Sequence, residues 1–139
     1  TVDMTPPQYF QEYCMPYYQK YGKPVKQADK IFIAHFDGKI KALVDDIKQS
    51  CIDAIDSFSL PLVGGDLDIL EAKSLLGDIV LLPNFPSNLS TSEESEIRAF
   101  LQDFKQQVGD AFPIQLQISE DLADGEWHRV LPIIMDEMK

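Results

Sequence analysis

Short apolar runs alternate with amphipathic stretches along the chain, which is the pattern of βα units around a parallel sheet. The run Ile31-Phe32-Ile33-Ala34 predicts a first strand over 30–35 that is covered on both faces. Ile40, Leu43, Val44 and Ile47 fall at i, i+3, i+4 and i+7 and predict a helix over 39–50. A second strand over 54–59 leads into a loop punctuated by Pro61 and Gly64-Gly65. Asp66 or Asp68 caps the next helix, which carries Leu67, Leu70, Leu75 and Leu76 and ends at Gly77. A third strand over 79–82 stops at Pro83 and Pro86. Thr91 or Ser92 opens a helix over 92–108, with Glu93, Glu94 and Glu96 at its positive end, Ile97, Phe100, Leu101 and Phe104 as its buried stripe, and Gly109 after it. Ile114, Leu116 and Ile118 alternate with Gln115 and Gln117 in a fourth strand over 113–118. A last helix over 127–138 buries Val130, Leu131, Ile134 and Met135. Ahead of all these, a helix over 5–21 takes Thr5 as N-cap and Pro6 as its first residue, and Pro16 kinks or shortens it.

Four βα units with strand starts near 30, 54, 79 and 112 repeat every 24 to 33 residues. A TIM (β/α)8 barrel repeats at that interval, its eight units taking about 250 residues. The fold class expected is therefore α/β, half of a TIM barrel with parallel strands, and residues 1–139 form a single partial domain. The first residue, Thr1, reads as the start of a processed chain or an excised piece.

Composition narrows the partners. Twelve Lys and Arg against 23 Asp and Glu give a net charge of −11, which argues against nucleic acid and anionic membranes. The one local basic group, Lys20, Lys23, Lys26 and Lys30, is spread over an expected loop and serves solvation. Cys14 and Cys51 make no disulfide framework, which fits a reducing, cytoplasmic setting. No apolar run approaches the roughly 20 residues of a membrane span, and no leader is recognisable.

Four stretches carry a resemblance. They are Ile33-Ala34-His35-Phe36-Asp37-Gly38, Cys51-Ile52-Asp53-Ala54-Ile55-Asp56, the helix exit Glu71-Ala72-Lys73 with Gly77-Asp78, and Pro83-Asn84-Phe85-Pro86. In that order they resemble the C-terminal half of the uroporphyrinogen decarboxylase superfamily, which holds haem-pathway decarboxylases and corrinoid-linked methyltransferases acting on coenzyme M and similar thiols. The stretch from Pro6 to Lys20, with Tyr17-Tyr18, is similar to the family's helix before the fifth barrel strand.

In the methyltransferase branch the first strand here would end in His-x-Cys-Gly, a zinc motif. This chain keeps His35 but has Asp37 in place of the thiolate, and Ser119-Glu120-Asp121 stands where a second Cys is expected. The resemblance thus implies a divalent ion, zinc or a harder relative, on His35, Asp37 and Glu120. The Gly-His-Gly turn of the decarboxylase branch is replaced by Ile118-Ser119-Glu120-Asp121. The implied function is a portion of an enzyme that moves a methyl group from a corrinoid protein or related donor to a small thiol substrate. The alternatives are uroporphyrinogen decarboxylation and a non-catalytic ligand-binding or assembly half barrel. In every case the free sheet edges call for the N-terminal half or a second copy as partner.

Independently of any family, the rim at the C-terminal ends of barrel strands carries the active site. His35, Asp37, Asn84 and Glu120 all fall there. His35 follows four apolar residues and is either a catalytic or ligating group or a core histidine satisfied by a carbonyl. Asp37 is a ligand or general base, or caps the following helix. Glu120 is a third ligand or part of the solvated acidic run Glu120, Asp121, Asp124 and Glu126. Ser57, Ser59 and Asn84 are candidates for binding substrate, Asn84 having a turn role as its alternative. His128, beside Trp127, reads as a surface or interface residue, and the tyrosines from Tyr9 to Tyr21 as packing.

Overall fold

The computed structural model describes residues 4–109, 114–118 and 121–139. They form an α/β unit in which β1 (Ile33–His35), β2 (Ala54–Phe58) and β3 (Val80–Pro83) make a parallel sheet in the order β1-β2-β3. The expected fourth strand extends this sheet through parallel bridges from Leu81 to Ile114 and from Asn84 to Gln117; Pro113 lies outside the described residues.

The helices are α1 (Pro7–Tyr9), α2 (Met15–Gln27), α3 (Val44–Gln49), α4 (Ile69–Leu76), α5 (Glu94–Val108) and α6 (Trp127–Glu137). Among the described residues no helix is long and apolar enough to cross a membrane.

One face of the sheet carries Ala34, Ile55 and Leu81, which stand in register and are buried. Their apolar cover includes Leu43, Val44 and Ile47 from the α3 region, Ile69, Ala72 and Leu76 from α4, and Phe104 from α5. A second cluster joins Phe85 to Ile97 and Leu101 of α5 and to Val130 and Ile133 of α6. Arg98 ties α5 to the end of α6 by donating from Nη1 to Glu137 at 2.7 Å and to Asp136 at 3.1 Å.

Several expectations change in the structure. The first helix does not take Thr5 as its cap: Pro6 occupies the cap position, and the helix passes through a π turn, Phe10–Cys14, into α2. Pro16 does not shorten the helix, because it falls in the first turn of α2, where a missing N–H costs little, and the wide π turn precedes it. The helix then runs on to Gln27 with Pro24 inside it, so Lys20, Lys23 and Lys26 sit on a helix and not in a loop. Lys26 pairs with Asp53 at 3.1 Å.

The first strand is shorter than expected, since Phe32 gives its N–H to the Asp53 carboxylate at 2.9 Å instead of to a strand carbonyl. It is also not covered on both faces. Ile33 on β1 is 49% exposed and Ile31, just before the strand, 74%; β1 lies at the edge of the sheet and this face of it is left uncovered.

Asp68 caps α4 through the Glu71 N–H, whereas Asp66 reaches across to accept from the N–H groups of Ile40 and Lys41. The helix after β1 opens as a 3-10 turn, Lys41–Leu43, before α3. The helix expected over 92–108 starts at Glu94 with Glu93 as its cap residue, so neither Thr91 nor Ser92 fills that role. In α6 Val130 and Ile133 are buried, while Leu131 and Met135 are exposed; the buried stripe is rotated from the expected one.

Candidate functional site

The register of the strands decides which polar groups meet. His35 of β1 is paired with Asp56 of β2, and beyond the end of β3 Asn84 is paired with Gln117. Between them, a bulge interrupts β2 at Ser57, which sits at φ +63°. The left-handed region costs a non-glycine residue about 1 kcal/mol or more and persists only where the surrounding structure holds it.

The consequence is one chain of hydrogen bonds across the strand ends. His35 Nδ1 lies 3.0 Å from Asp56 Oδ2. Gln117 donates from Nε2 to Asp56 Oδ1 at 2.6 Å, and also lies 3.3 Å from both Leu82 O and Asn84 Oδ1. Asn84 donates from Nδ2 to Ser57 Oγ at 2.8 Å. The chain is anchored in the interior, where Asn84 and Ser57 are buried, and emerges at His35, whose side chain is 62% exposed. His35 is thus not a core histidine held by a carbonyl; its partner is a carboxylate. Held through one ring nitrogen, it keeps the other for proton transfer or metal ligation.

A second, smaller group lies on the loops that follow β1 and β2. Ser59 donates from Oγ to Asp37 Oδ1 at 2.7 Å and accepts from the Gly38 N–H at 2.9 Å. The capping alternative for Asp37 is not realised, since Asp66 takes the N–H groups at the start of the next helical segment. No hydrogen bond among the described residues joins Asp37 to His35. No three His, Cys, Asp or Glu side chains converge among the described residues, and Glu120 lies outside them.

Asp56 and Gln117 are the site residues that sequence reasoning missed. A signal was present in each case: Asp56 is the charged residue of its strand, and Gln117 is a polar position in an alternating one.

The Gln117 amide, then the His35 ring, hold the Asp56 carboxyl below its ordinary value of 3.8. A carboxylate lowered in the folded state contributes stability that is full above the unfolded value and is lost as pH falls through the folded one. The stability difference between wild type and Asp56→Asn is therefore expected to be largest at neutral pH and to shrink below about pH 4. Urea unfolding at pH 7 and pH 3 reads this directly; an equal difference at both rules it out. The effect is modest because the Asp56 side chain is 38% exposed and screened by solvent.

No family model and no curated protein matches the sequence. Among solved structures, the chain is similar to a methyltransferase from Methanosarcina mazei, with a TM-score of 0.70 and 12% identity over 100% of this chain. The match covers 40% of that protein, and it shows a shared fold.

Proposed function

We propose that the chain is the C-terminal half of a TIM-type barrel of the uroporphyrinogen decarboxylase superfamily, and that its site transfers a methyl group from a corrinoid or related donor to a thiol. The observation that carries this reading is His35: an exposed imidazole at the C-terminal end of a parallel strand, bonded through Nδ1 to a carboxylate. The likeness in fold to a methyltransferase supports it. So does the uncovered apolar surface of Ile33 on β1 and of Ile31 just before it, which further barrel strands, or a second copy, would cover.

The donor chemistry at the site fits a divalent ion, for a histidine fixed by a carboxylate through its other nitrogen is the usual form of a metal-bound imidazole. In this reading His35 and Asp37 would hold the ion, with Glu120 as a third donor. When bound, the ion lowers the pKa of a thiol. Ser59 keeps the Asp37 carboxylate in place through its hydroxyl. Asn84 and Ser57 bond each other in the interior and so shape the floor of the site instead of reaching out to substrate. The thiol would lose its proton to solvent, its sulfur would form the S–C bond to the methyl carbon as the donor–methyl bond breaks, and the donor would leave with the electron pair of that bond.

Zinc titration of the chain by calorimetry, followed by transfer from methylcobalamin to 2-mercaptoethanol, tests the reading. Wild type is expected to bind one zinc and His35→Ala to bind at least about 100-fold more weakly, since a primary ligand outweighs the 10- to 100-fold of an outer-shell partner. Equal affinity in the two proteins overturns it.

A further inference from the structure

We infer that Asp56 is the positioning residue for His35, and that Gln117 clamps Asp56, so that His35 is fixed with its proton on Nδ1 and its lone pair on Nε2. The inference rests on the reading of His35 as the group that carries the chemistry.

The orientation is built up from the interior by hydrogen-bond accounting. Gln117 is fixed at the main chain, donating its N–H to Pro83 O at 3.0 Å and accepting from the Phe85 N–H at 2.7 Å. Its side-chain nitrogen faces three acceptors, Asp56 Oδ1, Leu82 O and Asn84 Oδ1, so only the NH2 end of the amide suits that position. Asn84 is set the same way, because its own NH2 donates to Ser57 Oγ and turns its oxygen toward Gln117. Asp56 then has Oδ1 occupied by Gln117 and Oδ2 facing the imidazole. An ionised carboxylate only accepts, so the ring nitrogen facing it must donate. A neutral imidazole with its proton on Nδ1 has its lone pair on Nε2.

A half-exposed pair of this kind adds little to stability. What it supplies is a single ring orientation and tautomer in place of a mixture. A histidine that ligates a metal or takes a proton gains from that in affinity or rate.

Side-chain 15N NMR of His35, recorded at a pH high enough for neutral imidazole, tests the inference without requiring activity. Wild type is expected to show the Nδ1–H tautomer, and Asp56→Asn to lose it, since the amide no longer demands a donor. Gln117→Leu is expected to shift the population partway. Zinc affinity is expected to fall 10- to 100-fold in Asp56→Asn and to recover in part in Asp56→Glu. An Nε2–H tautomer in wild type, or an unchanged tautomer in a folded Asp56→Asn, overturns the inference; the wild-type spectrum decides even where a variant fails to fold. Failure of the functional reading is separate, because it shows as unchanged zinc affinity in His35→Ala whatever the tautomer.

Discussion

Gly65→Ala is expected to lower stability by about 3 kcal/mol, at the upper end of what overpacking costs, and the melting temperature by about 10 °C. A Cβ at position 65 would overlap the carbonyl oxygen of Ser59 and stand 2.7 Å from its carbonyl carbon. Those are backbone atoms, so no change of rotamer relieves the clash. The approach is close because the 3-10 turn Pro61–Val63 folds the chain back until the Gly65 N–H reaches Leu60 O at 3.1 Å. Gly64→Ala is the control. It has φ +91° but nothing within 4 Å of the added carbon, so it carries conformational strain alone, about 1 kcal/mol. Thermal unfolding of both variants separates close packing from backbone strain; equal losses would refute the packing argument. The damage from Gly65→Ala also has a direction. Ser59 holds Asp37 through its hydroxyl, so a displaced Ser59 carries Asp37 with it, and under the proposed metal reading zinc affinity is expected to fall as well.

The same stretch shows why parts of the fold were legible in the sequence and others were not. Amphipathic stripes such as Ile40, Leu43, Val44 and Ile47 are local in origin, and all four side chains are buried. Helix ends at Gly77 and Gly109 are equally local, for both adopt positive φ after the last helical turn. Asp66 and Asp68 differ for a reason that no local pattern contains. Both are good caps, and only the path of the loop sends one to its own helix and the other across to Ile40. The apolar run of Ile31 and Ile33 predicts cover on both faces, as in parallel sheets generally; a place at the edge of the sheet is a property of the sheet, not of the run.

The candidate site divides in the same way. Strand ends follow from turn chemistry, and His35, Asp37 and Asn84 are legible in the sequence for that reason. The bond from His35 to Asp56 follows from register, and the bulge at Ser57 depends on a left-handed serine that its residue type does not announce. Gln117 needed both the order of the strands and the alternation of the last one.

Phe85→Ala is expected to be the other severe substitution, costing about 3 to 4 kcal/mol. Phe85 is 1% exposed, meets the Phe100 ring edge-on at 6.0 Å between centroids, and is the largest buried side chain of the second cluster. Its neighbours Ile97, Leu101, Val130 and Ile133 belong to two helices that Arg98 also ties together through Glu137 and Asp136, which opposes their closing the gap. The vacated space therefore persists as a cavity and adds to the lost burial of the ring. The loss is also expected to be uneven. Phe85 donates its N–H to Gln117 O, and the cluster around it holds α6 and Ile118, whereas Ile55 and Ile47 sit in the other cluster. Hydrogen exchange in Phe85→Ala should accelerate first in α6 and at 114–118, with α3 and β2 protected longer. Because Gln117 clamps Asp56, the His35 tautomer should become mixed in this variant although no group of the site has been altered. Uniform acceleration across both clusters, with the tautomer unchanged, would show that the interior anchor of the hydrogen-bond chain does not depend on Phe85.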